Sequence, residues 1–347
     1  PARQWPELVH DADPWVACIA GRCLAAQLEN EGAPEAALEV VENLLDRLRG
    51  ADLAGIYLLE LSTSRLQVLM TLGRYEQVAD ECARALELVD RLLPAWGASY
   101  REALQLERAY CQVYLTPHAD LVASLLAATD LTSLPGTLRF VARSVSGELE
   151  LVRGRTREAA LIQRASLGYA GRWRTVMGAG SPWELYILGM CLVTDVELEA
   201  AEAAELDAPG VRARAVPLLR VMLADPAPRQ RDVPTVMAFA AAVGLSVMAA
   251  VGQEEERGTG QETDREAVQG TDPAGRRAAG AELVATALAV GTNQTCRLLS
   301  HDYLRERARA LDARSLARAE DRVRHLDRAR LLAHAAGLAR RLADEAG

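Results

Sequence analysis

The chain has 347 residues, half of them hydrophobic, 25% charged and only 4% aromatic, and carries a formal net charge of −9. That length allows one large or two ordinary domains with a sizeable core. The acidic balance argues against a nucleic-acid-binding domain, which needs clustered cations to meet phosphates.

The apolar set is mostly Ala, Leu and Val, and the charged set is mostly Arg and Glu. Ala, Leu, Arg and Glu all favour helix, so the composition predicts an all-α protein with closely packed helices. All 39 basic residues are Arg, a bias expected of a GC-rich genome. Because the chain begins at Pro1 rather than Met, a piece of a longer protein is one expectation.

In chain order, Asp13-Pro14 reads as an N-cap followed by Pro at the first helical position, where a missing N–H costs nothing. That helix runs to Asn30, Gly32 breaks it, and Pro34 opens the next. Further helices are predicted over 52–72, 75–93, 97–115, 118–129, 137–152 and 155–170, with breaks at Gly73, Pro94, Thr116-Pro117 and Leu134-Pro135-Gly136. Residues 172–182 read as a loop. Ser181-Pro182-Trp183-Glu184 reads as a capping box that opens a helix to about 204. Helices over 209–224, 233–251, 281–291, 300–311 and 313–345 follow. No stretch alternates with period two, so no sheet is predicted. The apolar 233–251 stretch contains Pro234, Gly244 and Ser246 and reads as a buried helix rather than a membrane span. Residues 252–280 are rich in Gly, Glu, Asp and Thr. They are predicted to form a mobile insertion, because they cannot bury enough surface to offset ordering entropy.

Three hairpins superpose on Gly32, Gly73 and Gly154. Five positions on lie Ala37, Val78 and Ala159. Twelve on lie Leu44, Ala85 and Ser166. Seven before lie Ala25, Leu66 and Gly147, and Leu66 is large for a position where paired helices approach. The first two glycines are 41 residues apart and the next two 81, close to two units with a missing turn near Thr116-Pro117. The segment Leu69, Leu72, Gly73, Arg74, Tyr75, Val78, Ala79, Ala85 and Leu86 resembles the tetratricopeptide-repeat superfamily, with a period longer than the standard 34 residues. The long period and Arg/Ala-rich style are similar to the helical repeat domains of large bacterial LuxR-type and antibiotic-regulatory transcriptional regulators. The resemblance covers about residues 13–170. It implies an α-solenoid of stacked antiparallel hairpins whose inner wall, lined by the first helix of each pair, binds a protein, peptide or small effector in the bacterial cytoplasm.

The expected organisation is a hairpin array over 1–172, further hairpins over 173–251, the insertion 252–280 and C-terminal helices over 281–347. The candidate binding cluster is Tyr169, Arg172, Trp173, Arg174, Trp183 and Tyr186, a mixture of rigid aromatics and Arg typical of interaction hot spots. Gly178-Ala179-Gly180 before a helix suggests an anion site as an alternative, but it lacks the pattern of a dinucleotide fingerprint.

Six scattered cysteines (Cys18, Cys23, Cys82, Cys111, Cys191, Cys296) form no C-x-x-C pair and read as small buried hydrophobes. Five histidines lack the three- or four-residue spacing of helix-borne metal ligands, so no metal, cofactor or catalytic residue is expected. The Arg-rich tail after Tyr303 reads as a salt-bridged helical face, with Arg324 paired to Asp321 or Glu320, or else as a dock for an acidic partner. The expected function is therefore non-catalytic binding by the sensor or interaction part of a regulator, without direct nucleic-acid or membrane contact. An all-α enzyme or receptor with an enclosed pocket and a homo-oligomerisation scaffold are the alternatives.

Overall fold

The computed structural model describes residues 4–49, 55–94, 97–115, 119–128, 136–177, 182–224, 232–258, 272–294 and 296–346. Among the described residues the protein is all-helical, with sixteen α-helices, one 3-10 turn and no strand. The chain divides into two compact units, Pro1–Arg155 and Thr156–Gly347.

The first unit holds α1 (Trp5–Leu8), α2 (Pro14–Glu31), α3 (Pro34–Arg49), α4 (Gly55–Thr71), α5 (Tyr75–Leu92), α6 (Ala98–Leu115), α7 (Ala119–Ala128) and α8 (Gly136–Val152). Asp13 caps α2 as expected, its Oδ1 accepting from the Trp15 N–H at 2.8 Å with Pro14 at the first position. The three turn glycines share one geometry. Gly32, Gly73 and Gly154 have φ of 83°, 67° and 74°, a left-handed conformation that glycine adopts without Cβ strain. Each glycine N–H donates to the carbonyl three residues back (Glu29, Met70, Leu151). The next N–H donates to the carbonyl five residues back (Leu28, Leu69, Glu150), at 2.8–3.0 Å throughout. This paired pattern satisfies the helix-end carbonyls, and two residues past each glycine a new helix begins.

The register read from the glycines is that of the core. Ala37, Val78 and Ala159 are fully buried, as are Ala85, Leu44 and Ser166 within 2%. Ala25, Leu66 and Gly147 are buried too, and the large Leu66 is packed into the core rather than expelled. Along the chain α2 packs on α3, α3 on α4, α4 on α5 and α5 on α6, and α2 also packs directly on α4. The expected turn at 116–118 lies outside the described residues; α6 ends just before it and α7 begins just after.

The second unit holds α9 (Thr156–Met177), α10 (Pro182–Val196), α11 (Ala200–Glu205), α12 (Ala208–Ala224), α13 (Val233–Gly258), α14 (Pro273–Val290), the 3-10 turn Arg297–Leu299, α15 (His301–Val323) and α16 (Arg328–Ala346). The Gly154 turn thus joins helices assigned to different units. At the centre is α13, which packs on α10, α12, α14 and α15. Its apolar stretch is long enough to cross a membrane, but 83% of that stretch is buried inside the unit. Backbone approaches backbone closely between α13 and α14. A Cβ on Gly244 would lie 2.6 Å from the Gly280 carbonyl oxygen, and one on Gly280 would lie 2.7 Å from that of Gly244.

Four expected boundaries differ. First, α9 continues through Met177, so residues 172–177 are helical rather than loop; nothing in Arg-Trp-Arg-Thr-Val-Met breaks a helix before Gly178. Second, the helix expected over 182–204 breaks at residues 197–199 without a Gly or Pro. Tertiary ties hold the break: Glu197 accepts from Tyr303 Oη at 3.0 Å and forms an ion pair with Arg307 at 2.7 Å, and Leu198 packs with Ala160 and Ala203.

Third, the expected mobile insertion is helical at both ends. Residues 252–258 extend α13 and 273–280 open α14; the remainder, 259–271, lies outside the described residues. The two helices are joined there by Glu254–Arg276 and by Glu255–Arg277 at 2.7 Å. Asp272-Pro273 caps α14 as Asp13-Pro14 caps α2, with Asp272 Oδ1 accepting from the Ala274 N–H at 3.1 Å. Fourth, the helix expected over 313–345 ends at Val323 and restarts at Arg328, where Asp327 accepts from the Arg330 N–H at 2.9 Å. The break expected at residue 312 is present as extended backbone at Asp312, whose Oδ1 caps the Ser315 N–H at 2.9 Å.

Candidate functional site

The expected cluster is only partly visible. The backbone carries Tyr169, Arg172, Trp173 and Arg174 on the last turns of α9, and Trp183 and Tyr186 on the first turns of α10. Of these, only Tyr186 has a described side chain, which is half-buried. Gly178-Ala179-Gly180 and Ser181 lie outside the described residues. Glu184, the carboxylate expected in the capping box, is buried and accepts from Arg214 of α12 at 2.6 Å.

A different constellation is laid out in full on the first unit. On α2, Trp15, Ile19 and Arg22 follow the i, i+4, i+7 spacing that puts side chains on one helix face. Trp15 is 51% exposed and Ile19 36%. On α4, Ile56 is 44% exposed and Tyr57 sits beside it.

The Trp15 and Tyr57 rings lie 6.0 Å apart between centroids at 51°, within the range of favourable tilted aromatic pairs. One helical turn along, Arg22 pairs with Glu60, and Tyr100 of α6 donates its hydroxyl to the other Glu60 oxygen at 3.3 Å. Burial and the nearby Glu60 carboxylate raise the Tyr100 hydroxyl pKa, so it stays protonated and donating at neutral pH. These contacts run from α2 through α4 to α6, the first helix of each successive pair. The face offers exposed apolar and aromatic surface at one end and a hydrogen-bonded ionic row at the other.

The chain matches no protein-family model, no curated protein and no solved structure.

A second surface lies on the other helices of the same unit. A groove of about 450 Å³ between α3 and α5, floored by α4, is lined by Leu45, Leu58, Leu88, Arg49, Arg84 and Arg91. Its charges are largely paired internally. Glu81, 1% exposed, accepts from Arg65 at 2.7 Å and from Arg84 at 2.7 Å, while Arg65 also donates to Glu42 at 2.8 and 3.0 Å. Arg49 pairs with Asp46 at 3.0 Å. The Glu81 carboxyl is held below the usual carboxylate range: burial acts to raise its pKa, but hydrogen bonds from Arg84 and Ser62 and the Arg65 charge outweigh it.

The Arg-rich tail is likewise knitted inward. Glu282 of α14 draws in Arg322 at 3.4 Å, His334 at 3.3 Å and Arg341 at 3.8 Å. Arg324 pairs with Asp321 at 3.1 Å, one of the two expected partners, while Glu320 instead accepts from Arg305 at 3.0 Å. All six cysteines are free, and only Cys23 is not buried. Burial pushes the Cys111 thiol up to about 12 and raises Cys82 further, so neither is a nucleophile at neutral pH.

Between α5 and α6, Glu107 lies close enough to Cys82 and Cys111 to bear on both thiols, and burial pushes its carboxyl up to about 7. A carboxyl with a raised folded-state pKa keeps its proton longer in the native protein than in the unfolded chain. Stability therefore falls as pH rises from about 4.5 to 7, by about 2–3 kcal/mol in total. Glu107→Gln should remove that part of the pH dependence. Urea unfolding at pH 5 and pH 8 should show wild type losing more stability than the variant, with the variant the more stable at pH 8.

Proposed function

We propose that the chain is a non-catalytic helical-repeat scaffold that binds a peptide or helix of a protein partner along the shared face of α2, α4 and α6. The observation that carries this reading is the tilted Trp15–Tyr57 ring pair, with Trp15, Ile19 and Ile56 exposed on consecutive first helices. Large apolar groups left open beside aromatic and Arg side chains are the composition of interaction hot spots. The similar left-handed turns at Gly32 and Gly73 within the first unit support a repeat array, in which a common face of this kind forms by stacking. The resemblance to the repeat domains of bacterial regulators extends the reading to the sensor or interaction part of a cytoplasmic transcriptional regulator.

The test is a peptide-display selection on the full chain followed by affinity measurement. Trp15→Ala should weaken a selected peptide by at least about tenfold, since truncating a central aromatic anchor typically costs 2 kcal/mol or more. The unfolding midpoint should change little, because Trp15 is half-exposed. Equal affinities for wild type, Trp15→Ala and Tyr57→Ala would place the binding surface elsewhere.

A further inference from the structure

The connection between α14 and α15 carries a hydrogen bond that only a neutral histidine can accept. The Thr292 N–H donates to Nε2 of His301 at 3.0 Å. An imidazole nitrogen accepts only while it has no proton, and in the imidazolium both ring nitrogens are donors. Protonation would therefore set N–H against N–H across this contact. Thr292 is 4% exposed, so losing its acceptor would leave a buried amide without a partner.

The contact belongs to a small cluster that fastens the connection to α13. Thr292 Oγ1 donates to the Leu299 carbonyl at 3.4 Å. The Asn293 N–H donates to the Pro234 carbonyl at 3.0 Å, and Asn293 Nδ2 donates to Thr235 Oγ1 at 3.3 Å. Cys296, Leu298 and Leu299 are all buried and anchor the far half of the connection in the core. The near half, from Gly291 to Asn293, is the part the histidine holds.

The surroundings oppose a proton on His301. Burial disfavours the imidazolium most, the Arg305 charge one turn along α15 adds to that, and Asp302 acts the other way; together they hold the pKa below the ordinary histidine value. His301 is also the first residue of α15, at the positive end of the helix dipole. The segments around it bring Arg297 of the 3-10 turn and Arg328 of α16, which donates to the Val290 carbonyl. They also bring Asp232 ahead of α13, whose carboxylate is taken by the N–H and hydroxyl of Thr235.

We propose that His301 is a proton-operated latch: on acidification its imidazolium expels the Thr292 amide and frees residues 291–293 from the start of α13. The latch lies in the second unit and does not depend on the peptide-binding face proposed above.

The closed form keeps His301 neutral while the open form takes a proton. Opening therefore becomes easier as pH falls from about 6.5 to the lower native pKa, by up to about tenfold per pH unit. Hydrogen exchange of the full chain read by NMR, corrected for intrinsic rates, tests this. Protection of the Thr292 and Asn293 amides should fall at least about threefold between pH 7 and pH 5.5, and Ala240–Val243 in the middle of α13 should change less. The His301 ring resonances should titrate below 6.5. His301→Gln supplies an acceptor that takes no proton in this range. It should either keep both amides protected at the two pH values or leave both unprotected, and in each case the pH dependence is gone. Wild-type protection that does not fall, or a His301 ring that titrates at or above 6.5, would overturn the proposal. So would a folded His301→Gln protein that loses protection with acid as wild type does.

Discussion

Replacing Gly244 by Ala is expected to destabilise the second unit by about 2–4 kcal/mol. An added Cβ would sit 2.6 Å from the Gly280 carbonyl oxygen and 2.9 Å from a Val284 methyl. Backbone cannot swing aside as a flexible side chain can, so α13 and α14 must separate along their crossing, and overpacking of that kind costs several kcal/mol. The substitution also gains helix propensity worth about 1 kcal/mol, which offsets part of the strain.

Gly280→Ala should behave alike, since its Cβ meets the Gly244 carbonyl at 2.7 Å. The double variant should cost less than the sum, because one separation relieves both clashes. Gly337 in α16 is the control: a Cβ there meets nothing within 4 Å, so Gly337→Ala should stabilise by about 0.5–1 kcal/mol. Denaturant midpoints for the four variants check the set, and a Gly244→Ala protein as stable as wild type would refute the close crossing.

The second large effect is expected at Glu81. Its carboxylate is 1% exposed and takes a hydrogen bond from Arg65 that ties α4 to α5, and another from Arg84 within α5. Glu81→Ala removes the counter-charge from Arg65, whose side chain is only 15% exposed. Breaking a buried pair from one side typically costs about 3–5 kcal/mol. The loss should fall near the lower end, about 3 kcal/mol, because Arg65 keeps Glu42. Replacing both partners, as Arg65→Met with Glu81→Leu, should recover most of that loss, since matched apolar groups leave no buried charge unpaired. Chemical denaturation of the single and double variants checks this, and a double variant no better than Glu81→Ala would contradict it.

The turn glycines were legible because a left-handed residue between two helix-forming runs has few chemical solutions, and the burial at fixed offsets followed from helical period. The Asp272-Pro273 cap carried the same signal as Asp13-Pro14 but sat inside a segment whose polar composition suggested disorder. The break at residues 197–199 has no local signal; it depends on Tyr303 and Arg307, more than a hundred positions away.

The candidate face was hidden for a related reason. Trp15 and Ile19 have the i, i+4 spacing of core residues, and only packing decides which apolar stripe stays open. The cluster from Tyr169 to Tyr186 stands out in the sequence by residue density alone. Density indicates hot-spot chemistry, but it does not indicate which side chains share a face.

The most direct measurement is hydrogen–deuterium exchange of the full chain with and without a display-selected peptide. The proposed function predicts added protection in Pro14–Glu31, Gly55–Thr71 and Ala98–Leu115, the helices that carry Trp15, Tyr57 and Tyr100. Protection confined to α3 and α5, or to the second unit, would contradict it.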